Sequence, residues 1–136
     1  MIANNFVIDS NVLISAFVFN SKNPSEVLMR CLKKGKMVVS DEVLEEYKAK
    51  VLSEKFEPII PLAKREHSLT LFIRVCEKVL IREKIVDCRD TDDNKFLELA
   101  VAANAVCIVT GDKDLLTLNP FRNIPILTPA DFLNLY

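Results

Sequence analysis

Phe6-Val7-Ile8-Asp9, near the start of the chain, and Val106-Cys107-Ile108-Val109-Thr110-Gly111-Asp112, near its end, share one pattern. Each is a short unbroken apolar run that leads into an aspartate. An unbroken run, unlike an alternating one, suits a strand buried on both faces, as in a parallel sheet covered by helices. Met37-Val38-Val39 and Ile124-Pro125-Ile126-Leu127 are weaker strand candidates. The second of these belongs near an edge, because its proline has no N–H to give to a ladder.

Helix starts lie between the strands. Asn23-Pro24-Ser25-Glu26 offers an N-cap, a proline at the first helical position and an acidic third residue. Ser40-Asp41-Glu42-Val43 opens a second helix, with Val43, Leu44, Tyr47 and Val51 on one side. A helical stretch runs from about Leu62 to Val79. Asp90-Thr91-Asp92-Asp93 begins another, whose body from Phe96 to Ala103 is apolar nearly all round and is therefore packed on most sides. Thr128-Pro129-Ala130-Asp131 caps a last short helix. Strands alternating with helices predict an α/β fold, a three-layer α/β/α sandwich with a mostly parallel central sheet. The strand order is not readable.

At 136 residues, half of them apolar, the chain is expected to form a single domain over 1–136 with a real core. Its net charge of −1 excludes an overall basic field, so any nucleic acid must be held by a local face or by metal ions. Cys31, Cys76, Cys88 and Cys107 are dispersed, and His67 is the only histidine, which argues against a zinc site. They read as free thiols of a reducing compartment. No apolar run approaches the ~20 residues of a membrane span, and the start of the chain lacks the basic region and cleavage site of a leader. A cytoplasmic protein is expected.

Both apolar runs deliver an aspartate, Asp9 or Asp112, to the carboxyl edge of the sheet, where open parallel sheets bind ligands. The helix that precedes the second run starts at the same edge with Asp92 and Asp93, and Glu45 and Glu46 lie on the helix after Met37-Val38-Val39. Carboxylates that converge in one crevice repel one another and raise their own pKa values. A hard divalent cation such as Mg²⁺ or Mn²⁺ resolves the conflict. Two such ions ~4 Å apart can drive phosphodiester cleavage without a serine, cysteine or histidine nucleophile. Each residue also has a plainer reading: Asp9 as a helix cap, Asp92 and Asp93 as complements to a helix dipole, Asp112 and Asp114 as turn residues, Glu45 and Glu46 as a solvated face. Spacing alone does not choose between Glu45 and Glu46.

The segments Val7 to Ala16, Val39 to Tyr47, Asp90 to Ala100, Ile108 to Leu116 and Ile126 to Leu133 together resemble the PIN-domain family, and most closely its branch of VapC-like toxin ribonucleases from toxin–antitoxin systems. The resemblance spans nearly the whole chain in the same order and spacing. It implies that Asp9, Glu46, Asp93 and Asp112 are the acidic metal-binding and catalytic residues, with Glu46 favoured over Glu45 because Tyr47 follows it. Asn11 and Thr110 correspond to polar residues that support the site, Ser10 stands where threonine is common, and Asp114 is a further carboxylate for its periphery. The implied activity is cleavage of RNA by an endoribonuclease that uses Mg²⁺ or Mn²⁺. The implied partners are a second copy in a homodimer and an antitoxin protein. A non-catalytic RNA-binding module is the main alternative, and the presence of all four acidic residues argues against it. An aspartate phosphotransfer domain is a further one, against which Asp9-Ser10-Asn11 lacks a second aspartate.

Lys95, Lys113 and Arg89 flank the site and could meet phosphates, although a solvated charge is the simpler role. Lys33, Lys34 and Lys36 suit a helix end, His67 a structural or surface role, and Phe17, Phe19 and Phe56 core packing rather than base stacking.

Overall fold

The computed structural model describes residues 4–136. Five strands, β1 (Asn4–Ile8), β2 (Gly35–Val39), β3 (Cys76–Lys78), β4 (Cys107–Val109) and β5 (Ile126–Leu127), form one sheet in the order β3-β2-β1-β4-β5. Every pairing is parallel. The central β1 and its neighbour β4 are the two unbroken apolar runs, and Phe6, Val7, Ile8, Cys107, Ile108 and Val109 are all buried. At the β1–β2 pairing Asn4 faces Gly35. The Asn4 carbonyl stands where a Cβ at residue 35 would lie, so only glycine fits.

The helices are α1 (Ser10–Phe17), α2 (Lys22–Lys34), α3 (Asp41–Val51), α4 (Leu62–Val75), α5 (Asn94–Ala103), α6 (Lys113–Leu116) and α7 (Pro129–Leu135). They cover the sheet as a three-layer α/β/α sandwich, with α5 against β1, β2 and β4, and α2 against β2 and α7. Phe6 packs edge-on against Phe132 of α7, at 5.9 Å between ring centres. Tyr47 of α3 lies 4.3 Å from Phe72 of α4.

Several local starts follow the sequence. Ser40 caps α3 by accepting from the Val43 N–H, and Thr128 caps α7 by accepting from the Asp131 N–H. Others differ. The helix expected to open at Asn23 begins at Lys22 with Ser21 as its N-cap, so Pro24 falls inside the first turn. The turn tolerates it, because N–H groups there have no helical acceptor to lose. The helix expected to run to Val79 stops at Val75, and Cys76–Lys78 form β3 instead. This edge strand exposes Glu77 and Lys78, so it carries none of the apolar pattern that marks the inner strands. Phe17 and Phe56 pack against the core, whereas Phe19 is 41% exposed and rests on Phe56, so the core role expected of Phe19 does not hold.

Arg65 of α4 is wholly buried and secures the end of α3. Its guanidinium donates to the carbonyls of Val51 (3.0 Å), Ser53 (3.3 Å) and Ile60 (3.1 Å), and to Glu57 (3.2 Å). The carbonyls of Val51 and Ser53 lie at and just past the end of α3, where helical N–H donors run out, and a planar fork of donors matches them.

Candidate functional site

The connection out of β1 leads to β2 on one side, while β4 lies on the other. The direction of winding therefore reverses between β1 and β4, and a crevice opens beyond their carboxyl ends. Asp9 and Asp112 stand there, each as the N-cap of the helix that follows its strand. Asp9 Oδ1 accepts from the N–H groups of Asn11 (2.8 Å) and Val12 (3.1 Å). Its Oδ2 accepts from the Thr110 hydroxyl. The same hydroxyl oxygen accepts from the Asp112 N–H at 3.0 Å, and Asp112 Oδ1 accepts from the Asp114 N–H at 2.8 Å. One threonine at the end of β4 thus links the aspartates of two adjacent strands.

Asp93 enters from the amino end of α5, preceded by a single 3-10 turn, Thr91–Asp93, that Asp90 caps. Asp9, Glu46, Asp93 and Asp112 all line one crevice of about 250 Å³, together with Ser10, Asn11, Lys50, Asp90 and Asp92. Within it the tightest acidic group is Asp90, Asp93 and Asp112, with one carboxylate oxygen from each lying within 4.8 Å of the others. Asp9 stands beside this group with its oxygens already engaged. Glu46 turns toward the crevice, where its Oε2 accepts from the Ser10 hydroxyl at 2.5 Å and its Oε1 from Lys95 at 3.1 Å. Glu45, by contrast, is exposed. Asn11 lines the wall and accepts from Lys50 at 3.4 Å, while Asp114 lies outside the lining and contributes its backbone N–H.

The electrostatics favour a cation. Asp93 is only 9% exposed, and its buried Oδ2 has no hydrogen-bond partner among the described residues. Burial first, then the adjacent Asp112 carboxyl and the charges of Asp112, Asp90 and Asp9, push the Asp93 pKa up to about 7. Burial also raises the pKa of Asp9, against the opposing effect of Thr110, the Val12 and Asn11 N–H groups and Lys50. A carboxylate oxygen left bare beside two others is a poor arrangement for protein alone and a good one for a hard divalent cation. The donor set is all oxygen, which suits Mg²⁺ or Mn²⁺ rather than zinc.

Two features escaped the sequence reading. Asp90 joins the tight cluster, and its i, i+3 spacing from Asp93 on one helical turn was the available signal. Lys95 is not a freely solvated charge, since it pairs with Glu46 at only 17% side-chain exposure. Asp90 is placed by the irregular residues 79–90, which α5 holds from below. Asn94 Oδ1 accepts from the Cys88 N–H (2.8 Å), and the buried Glu98 accepts from the Ile85 N–H (3.0 Å). His67 is exposed, and Lys33 and Lys34 close the last turn of α2.

A family model described as PIN domain matches residues 5–114. The chain is 36% identical over 138 residues to MJ1680, an uncharacterized protein of Methanocaldococcus jannaschii, with 93% of this chain and 88% of that protein covered. Its fold is similar to that of VapBC2 from Rickettsia felis, solved bound to a DNA fragment from their promoter, with a TM-score of 0.66 at 16% identity over 91% of this chain and 98% of that one. It is also similar to PAE2754 from Pyrobaculum aerophilum, with a TM-score of 0.65 at 12% identity over 97% of this chain and 89% of that one. At such identities the structural likeness is one of fold. The family match covers most of the described residues and every strand up to β4, and on that ground the chain belongs to the PIN domain family.

Proposed function

We propose that the chain is an endoribonuclease that depends on Mg²⁺ or Mn²⁺ and acts as the toxin of a toxin–antitoxin pair. The observation that carries this reading is the cluster of Asp90, Asp93 and Asp112, in which the buried Asp93 Oδ2 has no partner among the described residues. These three carboxylates would hold the principal cation. Asp9, whose orientation is fixed by three donors, keeps lone pairs free to add a further oxygen.

When bound, such a cation supplies Lewis-acid stabilisation of charge on a phosphoryl group and makes water acidic enough to act as a nucleophile near neutral pH. The chain's own residues supply the rest. Glu46, oriented by the Ser10 hydroxyl, would help to orient the attacking water. Thr110 and Asn11 hold Asp9, Asp112 and the lip of the crevice in register. Lys50 is the basic side chain in the lining and offers a contact for a phosphate.

The fold likeness to VapBC2 supports an antitoxin protein as partner, and a homodimer is the assembly expected with it. The free thiols of Cys31, Cys88 and Cys107, all buried, suit the reducing cytoplasm. The test is incubation of the protein with single-stranded and structured RNA in Mg²⁺ or Mn²⁺, beside matched DNA, EDTA, and the variants Asp93→Asn and Asp112→Asn. Metal-dependent cutting of RNA, lowered by about a hundredfold or more in both variants, is expected. RNA cutting that survives EDTA and both substitutions would remove the proposal.

A further inference from the structure

We propose that Lys95 is a positioning residue that competes with the divalent cation for Glu46, so that Glu46 joins the metal centre only when its lysine is drawn away. The inference rests on the metal-dependent reading above and concerns how the acidic residues divide their work.

The crevice treats its carboxylates unequally. Asp90, Asp93 and Asp112 crowd together, and Asp93 Oδ2 has no donor. Glu46 is already compensated on both oxygens, by the Lys95 ammonium at 3.1 Å, the Ser10 hydroxyl at 2.5 Å and, more distantly, Lys50 at 3.9 Å. The Lys95 and Glu46 side chains are 17% and 16% exposed, so their attraction is less screened than that of a surface pair.

The two partners also differ in freedom. Glu46 precedes Tyr47, which is wholly buried, and so sits on a fixed turn of α3. Lys95 is the second residue of α5 and follows Asp93 by two positions, so one helical start carries both an aspartate of the cluster and the counter-ion of the glutamate. An ammonium on a four-carbon stem can leave one anion for another without backbone movement. A phosphate entering the crevice offers such an anion, and its arrival would release Glu46 toward the cation. Cation and anionic substrate would then favour each other's binding.

Calorimetric titration of the whole chain with Mn²⁺, without RNA, tests this in wild type, Lys95→Met and Lys95→Arg. Lys95→Met is expected to bind Mn²⁺ about tenfold more tightly, the scale of one removed charge at a partly screened site. Lys95→Arg, which keeps the charge, is expected to follow wild type. A Lys95→Met isotherm superimposable on that of wild type overturns the proposal, and so does equal weakening in both variants, which would mark Lys95 as merely structural. Lys95→Gln repeats the measurement if Lys95→Met does not fold. Absence of Mn²⁺ binding in wild type as well as the variants would instead overturn the metal-dependent reading itself.

Discussion

Asn94 and Cys88 are joined by a buried hydrogen bond of 2.8 Å, from the Cys88 N–H to the Asn94 side-chain Oδ1. It ties the irregular segment that carries Asp90 to the helix that begins beside Asp93. Asn94→Ala leaves a buried N–H without a partner, at a cost of about 1–2 kcal/mol. We expect Mn²⁺ affinity to fall about tenfold as Asp90 loses its fixed position. Calorimetry beside urea unfolding checks both, and a stability loss with unchanged affinity would detach Asp90 from the proposed metal centre.

Asp93 is held at a site that disfavours its own charge. Asp93→Asn keeps the shape and removes that charge, so the metal-free protein should become more stable by about 1 kcal/mol, as seen where function opposes stability. The same variant should no longer gain Tm when Mn²⁺ is added. Thermal melts with EDTA and with Mn²⁺ separate the two effects, and a variant less stable than wild type in EDTA would contradict the electrostatic account.

The pH dependence has a definite sign. The folded protein holds the Asp93 proton up to about pH 7, against 3.8 ordinarily, and Asp9 is shifted in the same direction. Stability from this source is fully present below the ordinary carboxylate range and is lost as pH rises through about 7. In EDTA the protein should therefore be less stable at pH 8 than at pH 5, by on the order of 1 kcal/mol after screening. Excess Mg²⁺ should close the gap by binding the ionised carboxylates. Melts across pH, with and without Mg²⁺, check both statements.

Arg65→Met removes four hydrogen bonds at a fully buried site and takes a donor from the carbonyls of Val51, Ser53 and Ile60, of which Ser53 keeps the Phe56 N–H. A loss of about 3 kcal/mol is expected. Because α3 also carries Glu46, activity should fall in the folded variant as well. A midpoint in urea within experimental error of wild type would show that the fork adds nothing to stability.

Tyr47 makes the opposite case, since its ring is wholly buried but its hydroxyl has no hydrogen-bond partner among the described residues. Tyr47→Phe should be neutral or stabilise by up to about 1 kcal/mol, because a buried hydroxyl without a partner costs desolvation and gains nothing. A clear fall in the urea midpoint would reveal a partner for that hydroxyl.

The inner part of the fold was legible because its chemistry is local. Phe6 to Ile8 and Cys107 to Val109 are buried on both faces of the sheet, so each residue had to be apolar. Ser40 and Thr128 cap their own helices within three residues. The edge was harder to read. Glu77 and Lys78 form a strand through backbone pairing with β2, and their exposed side chains record nothing of it. At the site, two strand ends, at Asp9 and Asp112, and one helix start, at Asp93, could each be seen to present a carboxylate. The Lys95 contact with Glu46 spans 49 positions, and the Thr110 contact with Asp9 spans 101, so both depend on a strand order that no local pattern encodes.

That strand order has a consequence for the growing polypeptide. The β1 strand is made first but lies in the middle of the finished sheet, and its partner β4 comes from the last third of the chain. A nascent chain that has reached Ala103 already carries Asp9, Glu46, Asp90 and Asp93, yet it lacks both Thr110 and Asp112. It has no hydroxyl to seat Asp9 and no third carboxylate for the cluster. The candidate crevice is thus withheld until Asp112 has been added, and no translation product that stops before it can carry the cluster.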